Sequence, residues 1–88
     1  MNVINNLVIP MPRISTLQVV GRLTIKVAWA AGIRSGRTDV VDLSSMVNSI
    51  RLYRPIRDNH ELFQTAHLIE DGQVVAWGDD DQIDMAAD

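Results

Sequence analysis

The chain has 88 residues, no cysteine and a formal net charge of −3, with 47% hydrophobic and 22% charged side chains. That is one ordinary globular domain, and without cysteine it excludes a disulfide framework, a thiolate zinc site and a thiol nucleophile. A domain of this size buries only about 60–65% of its unfolded surface, so an unstapled chain suits a reducing cytoplasm and gains from pairing with another chain.

The charge is unevenly spread. Residues 1–57 carry all eight basic side chains and only Asp39 and Asp42 as acids; residues 58–88 carry nine acids and no base. A split of this kind predicts either an electropositive patch with a solvated acidic end, or two halves that fold side by side and neutralise each other. The second outcome is the expectation for so small a domain.

Residues 1–13 read as a partly ordered lead-in, or an edge strand stopped at Pro10, with Val3-Ile4 and Leu7-Val8-Ile9 divided by Asn5-Asn6 and closed by Pro10 and Pro12. A basic n-region with a long apolar stretch is not seen there, nor is a run of ~18 apolar residues seen anywhere. The domain proper spans 14–88. Ile14 to Val20 is rich in β-branched residues and predicts a strand, followed by a tight turn at Gly21-Arg22. From Leu23 to Trp29 the pattern alternates strictly. Leu23, Ile25, Val27 and Trp29 share one face, and Thr24, Lys26 and Ala28 the other, as in a strand with one buried side.

A loop over Ala30–Gly36 returns the chain into a third strand, Arg37 to Asp42, which completes an antiparallel meander. Asp42 or Ser44 caps a short helix through Met46, Val47 and Ile50. Pro55 forbids one continuous helix across the crossover that follows. Asp58-Asn59-His60-Glu61 has acidic capping-box spacing and starts a helix of one to two turns through Leu62 and Phe63. Ala66–Ile69 and Val74–Trp77 form a hairpin about Asp71-Gly72. Gln82–Met85 is a last short strand or turn, and Ala86-Ala87-Asp88 starts a helix.

The expected fold is therefore α+β: an antiparallel meander of about five strands, with one or two short helices on one face. Its inward set is Leu17, Val19, Leu23, Ile25, Val27, Val41, Leu43, Met46, Leu62, Phe63, Leu68, Val74 and Trp77. Each Trp ends a strand, where the ring closes the core and its N–H reaches a polar partner.

Four features in order resemble a bacterial family, domain-of-unknown-function family 2442. They are Val41-Asp42-Leu43-Ser44 after a strand pair, Pro55-Ile56-Arg57-Asp58, the Leu62-Phe63 pair, and a hairpin with Gly72 at its centre and Trp77 at its far end. The similarity covers Ile14 to Met85. It departs at Gly78, where the family usually has Pro. The resemblance implies a small bacterial protein without assigned catalytic residues; some members look like partners in toxin–antitoxin-like pairs, and some carry a helix-turn-helix segment.

Chemistry-bearing groups are sparse. The run Asp79-Asp80-Asp81 with Asp84 lacks the Gly and Glu of a calcium loop and reads as a solvated acidic turn. His60 and His67 fall on different elements, so zinc has no ligand set. Ser44-Ser45 is not in a nucleophile elbow, and the glycines are too dispersed to cradle phosphate. No nucleophile, base and orienting group can be named together. The expectation is no enzyme, no cofactor and no metal.

The residues that stand out are Arg34 and Arg37 in the meander loop, and Arg51, Tyr53, Arg54 and Arg57 on the crossover. If they converge they make a partner-binding patch, with carboxylates of the acidic half or of a partner protein as counterparts. The favoured reading is a non-catalytic protein-interaction or regulatory module, self-association included, acting at the crossover or at an exposed sheet edge. Two others stay open. An accessory to nucleic acid would need all five arginines on one face. A mobile-element inhibitor would use the acidic half to block a basic host protein.

Overall fold

The computed structural model describes residues 11–87; most of the lead-in, residues 1–10, lies outside them. The fold is α+β, but the strands form two sheets rather than one meander. The first sheet holds β1 (Arg13–Gly21), β2 (Thr24–Ala31) and β3 (Thr38–Asp42) in the order β1-β2-β3. The crossover follows as α1 (Ser44–Ser49), a 3-10 turn (Arg51–Tyr53), α2 (Arg54–Asp58) and α3 (His60–Phe63). The second sheet holds β4 (His67–Ile69), β5 (Val74–Trp77) and β6 (Ile83–Ala86) in the order β4-β5-β6. All four strand pairs are antiparallel. Ala86 completes β6 instead of opening a helix.

The alternation read in β2 is real. Ile25, Val27 and Trp29 are buried and Lys26 is exposed. The turn before it sits one residue later than expected, at Arg22-Leu23, and Leu23 takes φ +51°. A non-glycine residue held there costs on the order of 1–2 kcal/mol. Burial of Leu23 at 6% exposure and a 2.7 Å bond from the Leu43 N–H to the Leu23 carbonyl offset it.

The crossover is not one continuous helix, as expected: it is interrupted at Ile50, and Pro55 stands in the first turn of α2, where its missing N–H has no helical partner to lose. Asn59 rather than Asp58 caps α3, accepting from the Leu62 N–H at 3.3 Å. Asp42 accepts from the Ser44 N–H at 2.9 Å, so the aspartate, not the serine, holds the entry to α1.

The core lies between the sheets and is closed at one end by the crossover. Trp77, Phe63, Ile56, Val27 and Val47 are its largest fully buried side chains. Phe63 lies between His60 and Trp77, at ring separations of 6.1 and 6.0 Å. Most of the expected inward set packs here. The exceptions are Met46, which is exposed while Val47 takes the core, and Val74, which yields to Val75. Trp29 donates through Nε1 to Asp39 at 2.8 Å, as its position demands. Trp77 does not follow: its buried Nε1 has no partner among the described residues, a loss of about 1–3 kcal/mol.

The sheets meet along β1 and the turn between β4 and β5. Gly72 has φ +84°, and a Cβ on it would stand 2.2 Å from the Ile14 carbonyl oxygen. Only glycine admits this approach. Arg13 pairs with Asp71 at 3.0 Å over the same seam. On the side where β3 and β6 are sheet edges, no such close approach is present among the described residues.

Candidate functional site

The six singled-out residues do not converge. β3 runs antiparallel to β2, so the loop carrying Arg34 and Arg37 is at one end of the sheet. The crossover leaves from the other end. Five residues of strand, at about 3.3 Å each, separate them. Arg37 pairs with Asp39 at 3.2 Å. Arg57 makes a two-pronged pair with adjacent Asp58, at 2.7 and 3.1 Å, and holds that carboxyl below its ordinary range.

Tyr53 is a core residue and not a surface contact. It is 7% exposed, and its hydroxyl donates to the Asp84 carbonyl at 2.9 Å. Burial, followed by the Asp84 charge, pushes its pKa up.

The halves neutralise each other less than expected. Among the described residues the ion pairs are Arg13–Asp71, Arg37–Asp39, Arg57–Asp58 and His67–Asp81. Arg22, Lys26, Arg34, Arg51 and Arg54 therefore have no carboxylate within ion-pair distance in that set. Arg34 instead lies over the Trp29 ring, 5.6 Å from its centroid.

Arg34 also borders an apolar cleft of about 170 Å3 on the open side. Its walls come from Ile25, Val27, Trp29, Val41 and Leu43 of the first sheet and its flank, and from Val75, Met85, Ala86 and Ala87 of the second; Met46 of the crossover lines it as well. Arg34 is the one charged residue among the described residues of this lining. Next to Met46 along the chain stand Ile50 and Leu52, so the crossover carries three exposed large apolar side chains, at 42, 44 and 55%. Arg51 and Arg54 alternate with them. The sequence places Met46 inside, but Val47 takes the core and Met46 turns outward.

A second depression, about 540 Å3, is polar. Arg22, Asn48 and Ser44 line it together with Asp42, Arg57 and Asp58. Its two arginines and two carboxylates balance in charge, and Arg57 is already paired with Asp58. The apolar cleft, whose one charge among the described residues is unbalanced, is the better candidate.

The acidic turn acts on the fold. His67 Nδ1 faces the Thr65 carbonyl at 2.7 Å and its Nε2 faces Asp81 at 2.6 Å. Both partners only accept, so only the protonated ring makes both bonds. The Thr65 carbonyl first, then Asp81, raises its pKa above the ordinary value, with Asp79 adding to the effect. The stabilisation is complete below the unfolded histidine value of about 6.5 and is lost as pH rises through the folded one. Thermal melts should therefore fall in midpoint as pH rises above about 6.5, and His67→Gln should flatten that dependence. An equal slope in the variant would remove His67 from the account.

Among the described residues no cluster of His, Asp or Glu is arranged to hold a metal ion, and no helix is long and apolar enough to cross a membrane. No family model matches the chain, and neither a curated protein nor a solved structure shows significant similarity to it.

Proposed function

We propose that this chain is a non-catalytic protein-interaction module, regulatory in role, which takes a segment of a partner protein on its open side. The observation that supports this reading is the apolar cleft beside Arg34, lined in part by exposed Met46, on a crossover that also exposes Ile50 and Leu52. Apolar surface rimmed by arginine is the composition of a protein contact. The antitoxin-like role implied by the resemblance to family 2442 belongs to the same proposal, as does a cytoplasmic setting. Recognition of nucleic acid is less favoured, because the arginines divide between the two ends of the first sheet.

The test is selection from a random-peptide display library. The wild-type chain is expected to enrich a linear motif with a large apolar residue. The double substitution Met46→Asp, Leu52→Asp should weaken those binders at least tenfold. Both positions are exposed, so the melting temperature should stay within a few degrees. No enrichment, or equal binding by the variant, would sink the proposal.

A further inference from the structure

The two strands bordering the cleft are not equivalent as edges. In an antiparallel ladder, residues alternate between bonding their neighbour strand and pointing their N–H and C=O away from it. The Leu43 N–H donates to the Leu23 carbonyl, and the Trp29 N–H to the Arg37 carbonyl. With the register Ile25↔Val41 and Val27↔Asp39, it follows that Arg37, Asp39, Val41 and Leu43 face β2. Thr38, Val40 and Asp42 then turn their backbone groups outward, with no partner among the described residues. On β6 the Ala87 N–H donates to the Gln73 carbonyl, so Asp84 and Ala86 face outward. There the Asp84 carbonyl is already taken by the Tyr53 hydroxyl. β3 is the open template and β6 is partly capped.

The size of the cleft limits what it admits. A cavity of ~150 Å3 holds one benzene ring, so about 170 Å3 takes a single large side chain, not a row of them. Arg34 borders the same space, with its guanidinium laid over an indole whose N–H is tied to Asp39. The cation is thus placed beside an apolar pocket, without a carboxylate of its own among the described residues.

Resting on the module reading above, we infer that the occupant is an extended segment of a partner protein that pairs with β3 as a fourth strand, sinks one aromatic or branched aliphatic side chain in the cleft and sets a carboxylate against Arg34. Strand side chains alternate, so residues two apart share a face. The anchor and the acid both face one cleft, so an even number of positions separates them, and the shortest such spacing is a large apolar residue, any residue, then Asp or Glu, or the reverse order. Backbone bonds supply affinity, and the pocket and Arg34 supply selection.

The test uses the full chain and blocked eight-residue peptides of alternating Thr and Val that carry one Phe and, two positions away, one Glu, followed by fluorescence anisotropy. Gln in place of Glu should weaken binding about tenfold, a usual size for a charged pair at a partly desolvated site. Arg34→Gln should cause the same loss and leave the two peptides equal, the signature of a direct pair. Val40→Pro removes one outward N–H without touching the bonds to β2, so it should weaken binding at least tenfold with the melting curve unchanged. A peptide N-methylated at alternate amides probes the same bonds if that variant misfolds.

Equal binding of the Glu and Gln peptides, or of the N-methylated one, overturns this inference. If display-selected peptides still bind and respond to Met46 and Leu52, the module reading survives that failure. Concentration-dependent dimerisation abolished by Val40→Pro would give the β3 edge to a second copy of the chain and also overturn the inference.

Discussion

Phe63→Ala should lower stability by about 3–5 kcal/mol, the usual cost of removing a fully buried ring. Phe63 has no exposed surface, and its ring stacks on Trp77 at 6.0 Å with an interplanar angle of 27°. It is the one fully buried side chain of a four-residue helix, which Leu62 and the Gly78 N–H bond to Thr65 also hold beside β5. A domain of this length has a total stability of about 4–13 kcal/mol. At about 4–8 °C per kcal/mol, the melting midpoint should fall by at least ~12 °C, and the variant is expected to be partly unfolded at about 37 °C. Phe63→Leu, which keeps most of the volume, should cost about 1.5 kcal/mol or less. Urea titrations of both variants measure this. A Phe63→Ala midpoint within about 5 °C of wild type would mean that the core closes over the gap and that the ring stack is incidental.

Gly72→Ala should cost about 3 kcal/mol, and the structure separates two causes. The backbone at Gly72 has φ +84°, which costs any residue with a Cβ about 1–2 kcal/mol. In addition, that Cβ would meet the Ile14 oxygen at 2.2 Å. The obstacle is backbone, so relief requires the turn to lift away from β1 and the seam between the sheets to part. Gly36 supplies the control. Its φ is +85°, and a Cβ there would have nothing within 4 Å, so Gly36→Ala carries the conformational cost alone. Paired urea melts should show Gly72→Ala worse by at least ~1 kcal/mol. Equal losses would mean that the seam gives way freely.

The local elements are legible because each has a signal of its own length. β2 has four apolar residues in strict alternation from the turn onward, and Asp71-Gly72 marks a hairpin in any context. The division into two sheets has no such signal. It depends on whether β4 pairs with β3, and nothing in either strand's own pattern records that. Met46 is misplaced by its sequence because α1 is only six residues long, under two turns, and so short a run does not determine which apolar side chain faces inward. Tyr53 looks like a surface residue among arginines; its partner is a carbonyl 31 positions away. The separation of the arginines, by contrast, is within reach. An antiparallel return places the loop before β3 and the crossover after it at opposite ends, whatever the side chains.

The placement of the site is less legible than its ingredients. Arg34 stands out in the sequence, but its role depends on Trp29 below it and on Met85 and Ala86 opposite. Those come together only when β6 closes the second sheet. Val40 has no distinguishing mark in the sequence, since an outward-facing backbone amide is a matter of register.

Both sheets are built from strands consecutive in the chain, each joined to the next by a short turn. This has a consequence for how the molecule reaches its native state. Little loop-closure entropy opposes either sheet, so each half can form on its own timescale, in the range of proteins dominated by local contacts. The long-range contacts are those of their docking, in which Gly72 seats on Ile14 and the Tyr53 hydroxyl bonds the Asp84 carbonyl. Until it happens, β3 and the inner faces of both halves are open together, and that interval is when the chain is most exposed to a wrong partner.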